Sequence, residues 1–414
     1  MSLLSLAQRR LSIVMILIAG GILAQVLRTS TAAIAPDLMR DIGFSPDALG
    51  VLTGVFFLAQ ALMQIPVGIL IDRFGGRLTI SGLYTIAVVG ALIFAVAETF
   101  SGLTLARVLM AIGISGAIIG AFVVLESWFS SEKLPQMAAL QISAGQIGVL
   151  LATAPLAFAS ELFGWRNVFF GLSIITAVMV LSIFSTLRDA PPGQPASTSK
   201  HESLKENLNG VLAVFRNRYA PFFFVMVFVA NPLVVCVLTL LGGPFLFDTY
   251  QLGAVERGHV LFGMGVTAML SPLLFGQLQR WFSIRQLVRG GAVYAAAICL
   301  GLALMPSAPL WLTSLLMIML GFSGGYAVLI FTDGRRYFPA HLAGRSMTAL
   351  NMSQMSGMAA IQFVAGFFLS FFPVTTSGHP SPLAYRATFV LLAMIVLSAY
   401  LVYRRIPPLT TRPG

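Results

Sequence analysis

The side chains best able to do chemistry in this sequence are polar residues set inside long apolar runs. Gln25 and Arg28 stand three apart in the first run and so share one face of a helix. Gln141 and Gln146 lie in the fifth run, Asn231 and Thr239 in the seventh, and Tyr326 in the tenth. In the eleventh, Asn351, Gln354, Met358 and Gln362 recur at i, i+3, i+7 and i+11, one continuous helical stripe. An arginine near the centre of a membrane helix costs roughly 2.5 to 3.5 kcal/mol on insertion scales, so something must offset Arg28. Its guanidinium fork matches a carboxylate or a phosphate, which makes it an anion-binding group in a wet interior. The competing reading puts Arg28 in the outer third of its helix, reaching to the surface or pairing with Asp37. The amides carry the same ambiguity: they line a path for a polar solute or they bond helix to helix. Gln146 and Gln354 occupy matching places in an internal repeat described below, which favours a cavity-lining role for both.

A second cluster is Gly68-Ile-Leu-Ile-Asp72-Arg73-Phe-Gly75-Gly76-Arg77, in the short loop after the second run. Gly68 is expected to allow close helix approach, and Asp72 to cap the following turn or pair with Arg73 or Arg77. Glu126 ends the fourth run on the same side. The plainest account of these charges is a basic loop with a cap. Arg107, also in the fourth run, suits a structural role holding backbone carbonyls. Phosphate-cradling loops, metal-ligand spacings and Ser/His/Asp sets do not occur. The histidines His201, His259, His341 and His379 fall in loops or at helix ends, and Cys236 and Cys299 sit inside apolar runs. No enzyme, metal or cofactor is expected.

The elements that must position these residues follow from composition. Of 414 residues, 57% are hydrophobic and 9% charged, against roughly a quarter charged in soluble domains. Apolar runs long enough to cross about 30 Å of hydrocarbon recur from end to end. They are expected at 12–34, 47–69, 79–99, 102–127, 137–160, 167–187, 219–246, 258–279, 287–306, 309–332, 344–371 and 383–403. The first is too long for a signal-peptide core and lacks a small-residue cleavage site. The net charge of +11 suggests nucleic acid, but the basic residues fall in short loops between runs, so no nucleic-acid partner is expected. With both termini cytoplasmic, 19 of the 25 Lys and Arg lie on that side; an inverted topology would break the positive-inside rule. The one long polar stretch, 188–218, is Pro/Ser/Gly-rich and reads as a cytoplasmic linker lying on the membrane surface.

Sliding the chain on itself by 208 residues aligns Pro36 with Pro244, Gly50 with Gly258, Gly68 with Gly276, Arg77 with Arg285, Gly113-Ile-Ser-Gly116 with Gly321-Phe-Ser-Gly324, and Gln146 with Gln354. Two copies of a six-helix unit with an even number of crossings are related by an axis along the membrane normal. The domain expectation is therefore 1–187, linker 188–218, and 219–414. With the Gly68–Arg77 motif, this layout resembles the major facilitator superfamily, whose loop between helices two and three carries Gly-x-x-x-Asp-Arg-x-Gly-x-Arg. Arg107 followed by Gly113 resembles the family's second motif.

The resemblance implies an all-α membrane fold of twelve helices in two pseudo-symmetric bundles, with the third, sixth, ninth and twelfth outermost. It implies a cytoplasmic latch built from Gly68, Asp72, Arg73, Arg77 and Glu126, decayed in the second half, where Arg280 replaces the acid. It also links Arg107 to proton coupling, for which Glu126 and Asp333 are the other candidates. The chain lacks an acid at the middle of the first, seventh, eighth or tenth run, where cation exporters hold one. Ala154-Pro155-Leu-Ala-Phe158-Ala159 stands where antiporters carry a glycine-rich motif. The expected function is secondary transport, symport or antiport, of a small organic solute, anionic or polar amphipathic, across the cytoplasmic (inner) membrane. The mechanism is alternating access by a monomer in lipid, with protons as a possible coupling ion. Gln25, Arg28, Gln146, Asn231, Tyr326, Asn351, Gln354 and Gln362 are the expected substrate contacts. Two alternatives remain: a proton-coupled efflux pump for hydrophobic or drug-like compounds, and a non-transporting membrane receptor or assembly factor.

Overall fold

The computed structural model describes residues 6–130, 132–191, 213–305, 308–334, 336–338, 343–373 and 380–407. Most of the linker expected at 188–218 lies outside the described residues, as do Lys200, His201, Lys205, Arg335, His341, His379 and Arg412.

In hydrocarbon every backbone N–H and C=O needs an internal partner, so runs this apolar become helices. The described elements are α1 (Leu6–Thr29), α2 (Thr31–Ile42), α3 (Pro46–Val96), α4 (Phe100–Ile114), α5 (Gly116–Trp128), α6 (Leu134–Leu151), α7 (Ala154–Phe163) and α8 (Trp165–Thr186). There follow α9 (Ala220–Cys236), a π-turn (Val237–Leu241), α10 (Gly242–Tyr250), α11 (Ala254–Leu278), α12 (Ile284–Leu304), α13 (Leu310–Phe322), α14 (Gly324–Gly334), α15 (Ala343–Leu369) and α16 (Pro382–Tyr403).

Eleven helical stretches among the described residues are long and apolar enough to cross a membrane. One of them holds two of the expected crossings. At 51 residues α3 would run about 77 Å if straight, far beyond a bilayer core. Its helix is broken at Gly75, whose φ of 79° and ψ of 166° are open only to glycine. The motif's Gly75 is thus the loop between the second and third crossings, and twelve crossings result.

Several crossings are themselves interrupted, and the interruptions follow the repeat. The fourth breaks at Ser115, whose hydroxyl donates to Ile112 O at 2.6 Å. The tenth breaks 208 residues later at Ser323, whose hydroxyl donates to Leu320 O at 2.7 Å. The first breaks at Ser30, and the matching place in the seventh is the π-turn at Val237–Leu241. Such turns free backbone groups for other partners.

The chain divides into two compact units, Met1–Ser30 with Ala59–Glu202, and Thr31–Leu58 with Ser203–Gly414. In the first, a Cβ built on Gly148 would stand 2.1 Å from Ile22 O, so α6 packs backbone to backbone on α1. A Cβ on Gly113 would stand 2.3 Å from Ala87 N. Phe94 stacks on Phe169 with ring centroids 4.1 Å apart. In the second, a Cβ on Gly357 would stand 2.0 Å from Phe228 O, joining α15 to α9 as α6 joins α1. Also in the second unit, Gly243 of α10 faces Ala32 O and Gly50 faces the Gly366 Cα, with Cβ distances of 2.5 and 2.7 Å. These contacts seat α2 and the start of α3 on the C-terminal helices.

Gly68 corrects an expectation: nothing lies within 4 Å of its would-be Cβ, so it is not a site of close helix approach. Of the crossings expected outermost, the sixth is the clearest, with 22% of its apolar window buried and Phe170, Ile174, Ile175, Val178 and Leu181 exposed. The ninth is 56% buried, because its small face of Ala292, Ala295, Ala296 and Cys299 is packed inside the unit.

Candidate functional site

On the first unit, α1 presents Gln25 and Arg28 on one face. Gln25 lies over the glycines of α6: its Cβ is 2.9 Å from a Cβ built on Gly148, and its Cγ 3.8 Å from one on Gly145. Only glycine leaves room there. Gln25 Oε1 is buried with no hydrogen-bond partner, and so is Arg28 Nε. Asp37, the partner the sequence offered for Arg28, pairs with Arg40 at 3.2 Å. Among the described residues no ion pair or hydrogen bond holds the Arg28 guanidinium. Both residues are half-buried, as is Gln146, which sits between the two glycines that accept Gln25. Gln141, 4% exposed, is by contrast satisfied, donating to Leu17 O at 2.8 Å across the α1–α6 seam.

Arg107 is 1% exposed and reaches the end of α1, donating from Nη1 to Leu27 O at 3.0 Å and from Nη2 to Arg28 O at 3.3 Å. Those carbonyls lie in the last turn before the Ser30 break, where their intrahelical donors are missing. A cation there also suits the negative end of the helix. This is the carbonyl-holding role open to Arg107 from the sequence.

On the second unit, Gln362 is fully buried and donates to Thr239 Oγ1 at 3.1 Å, while its Oε1 has no partner. Asn351 and Gln354 are half-buried on the same stripe, and Asn231 is half-buried on α9 near Gly324, 3.9 Å from a Cβ built there. Tyr326 is set apart from them. It is fully buried against Gly291 and Phe275, and its hydroxyl has no partner. Asp333 is 3% exposed and accepts from the Tyr403 hydroxyl at 3.0 Å, tying the end of α14 to α16.

Around the Gly75 break, Asp72 and Arg73 are exposed, and Arg73 lies over the Phe74 ring at 5.3 Å. Arg77 Nε donates to Phe184 O at 2.8 Å and its guanidinium stacks on the Phe184 ring at 4.5 Å. Glu126 is exposed and has no partner among the described residues. The Arg77 N–H at the start of the third crossing donates to Asp189 Oδ1 at 2.7 Å. Asp189 sits against Gly75 and Gly76, its Oδ2 2.6 Å from a Cβ built on Gly75. The sequence hid this residue inside the linker. Its signal was an acid a few residues past the end of the sixth run, beside a glycine-opened helix start. A second pair also went unseen: the Tyr385 hydroxyl donates to Asp248 Oδ2 at 2.5 Å, joining α16 to α10.

The nitrate/nitrite transporter NrtP of Nostoc punctiforme (strain ATCC 29133 / PCC 73102) is 30% identical over 172 residues, covering 39% of this chain and 34% of that protein. The chain thus spans about a third of the length of that relative. The multidrug resistance protein MdtL of Shigella dysenteriae serotype 1 (strain Sd197) is 26% identical over 339 residues, covering 78% of this chain and 80% of that one. The crystal structure of a bacterial homolog to the human lysosomal transporter Spinster, inward-facing and unoccupied, superposes with a TM-score of 0.76 at 18% identity, covering 97% and 99% of the two chains, which shows a shared fold. The family model of the Major Facilitator Superfamily matches residues 17–362, and the chain belongs to that family.

Proposed function

We propose that this protein is a secondary transporter of a small solute, working by alternating access, and that the solute is anionic or carries an anionic group. The observation behind this reading is the pair of unmet polar atoms on α1, Gln25 Oε1 and Arg28 Nε, beside the glycines of α6. An unpaired guanidinium inside a membrane helix bundle is costly, whereas a carboxylate or oxyanion ligand would satisfy it bidentately. Arg107, by contrast, is engaged with carbonyls and reads as structural. Gln146 supplies a further polar contact on the same unit; the second unit carries polar side chains of its own, Asn231, Asn351 and Gln354, with Gln362 and Tyr326 more deeply buried. NrtP, matched over part of the chain, is named for two small anions, in line with this lean.

Reconstituted protein should take up one or more members of a panel of inorganic and organic anions. Arg28→Gln should abolish that uptake with the thermal unfolding midpoint nearly unchanged, and Arg28→Lys should keep a fraction of it. Anion uptake by Arg28→Gln at the wild-type rate would sink the assignment.

A second reading, efflux of hydrophobic or drug-like compounds, is favoured by the match to MdtL over most of both chains. It makes Arg28→Gln nearly harmless and gives movement of lipophilic cations or dyes into inverted vesicles. Proton coupling in either reading falls to Asp333, Glu126 or Arg107. Of these Asp333, buried with a single phenol partner, is the group whose protonation would change a packed contact.

A further inference from the structure

At one end of the second unit, among the described residues, Arg280, Arg285, Arg289, Arg336, Arg404 and Arg405 meet one acid. That acid, Asp333, is buried and already accepts from Tyr403. Two of the six, Arg285 and Arg289, are tied to the end of α16 by hydrogen bonds. Arg285 donates to Pro407 O and Arg289 to Arg404 O, each at 3.0 Å, and Arg285 lies over the Tyr337 ring at 5.5 Å. Arg289 Nε is buried without a partner. Among the described residues none of the six forms an ion pair within 4.0 Å. Beside Arg280, Trp281 and Phe282 are 72% and 49% exposed. The corresponding rim of the first unit, which the repeat identifies through Arg77 and Arg285, is different: Asp72, Glu126, Glu132 and Asp189 offset its basic residues.

Guanidinium groups prefer phosphate oxygens in paired, planar contacts. Basic clusters at the edge of a membrane bundle draw anionic headgroups, and exposed Trp and Phe settle at the same depth. We propose that this rim is a binding site for the phosphodiester headgroup of an anionic phospholipid. The arginines take the phosphate, and Trp281 and Phe282 contact the glycerol and upper acyl region. Free phosphate would use only the first half of that set.

The full chain in detergent can be titrated with phosphatidylglycerol, with phosphatidylcholine and with inorganic phosphate. The readouts are retained lipid by native mass spectrometry and the shift in unfolding midpoint. Phosphatidylglycerol should be retained and stabilising; the other two should not. Each basic residue near a charged headgroup is worth about fivefold in affinity. Arg280→Gln/Arg404→Gln/Arg405→Gln, three exposed positions, should therefore need at least about tenfold more phosphatidylglycerol. The charge-matched control Arg9→Gln/Arg10→Gln/Lys133→Gln on the first unit should behave as wild type. Equal loss in the control, an unaffected triple variant, or wild-type protein that responds equally to phosphatidylcholine or to inorganic phosphate would each overturn the proposal. The last comparison needs no variant to fold.

Discussion

Arg28 and Arg107, one half-buried and one fully buried, show how two arginines of the same unit are given opposite tasks. Arg28 lies just before the Ser30 break, and Arg107 of α4 spends its guanidinium on the carbonyls of Leu27 and Arg28. The end of α1 is thereby satisfied by a side chain from α4, and Arg28 is left without a partner. Removing Arg107 leaves Leu27 O with only the Ser30 hydroxyl at 3.2 Å and takes the guanidinium from Arg28 O, so Arg107→Gln should lower stability by about 2 kcal/mol, read as a fall in the unfolding midpoint in detergent. Arg107→Lys should recover part of this, since one ammonium cannot copy a two-carbonyl fork. Arg28→Gln, removing a group with nothing to leave stranded, should cost little stability and much transport. If the two stability effects are reversed, the division of labour between the arginines is wrong.

The helices are shaped by where they tolerate a side chain. Gly113 and Gly68 look alike in sequence, both small residues in motif positions, but only Gly113 is pressed against a neighbouring backbone. Gly113→Ala should destabilise by about 2 kcal/mol or more, because the Ala87 backbone cannot move aside. Gly68→Ala should be neutral or slightly stabilising, since alanine favours helix and the space is open. The N-terminus of the third crossing offers another test. Asp189 caps it through the Arg77 N–H, so Asp189→Ala should cost about 1 kcal/mol. It should also speed amide exchange at residues 76–79.

For the molecule as a whole, two six-crossing copies require the N- and C-termini to share a side with the Arg77 and Arg285 ends. The native cysteines Cys236 and Cys299 are buried, so single cysteines placed at exposed positions report side cleanly. Probes at Arg10 and Arg404 should label from one face of sealed vesicles, and probes at Glu98 and Gln251 from the other. Labelling of Arg10 and Arg404 from opposite faces would dismantle the duplicated topology and the orientation drawn from the arginine count.

Run length and repeat register were legible in the sequence because they answer to the bilayer alone. A segment either is or is not long and apolar enough, and Gly75 had to break the long helix wherever the chain turned back. The breaks at Ser115 and Ser323 copy each other across the same 208 residues, although hydropathy alone gives unbroken runs at 102–127 and 309–332. Partners were another matter. That Asp189 caps a helix 112 positions away, that Arg107 rather than a ligand holds the end of α1, that Gly68 faces open space, and that Thr31–Leu58 packs with the C-terminal helices were settled only by how helices distant in sequence cross. Hydropathy and spacing report the face a residue occupies on its own helix. Which atoms stand opposite that face depends on packing between segments that carry no common local signal.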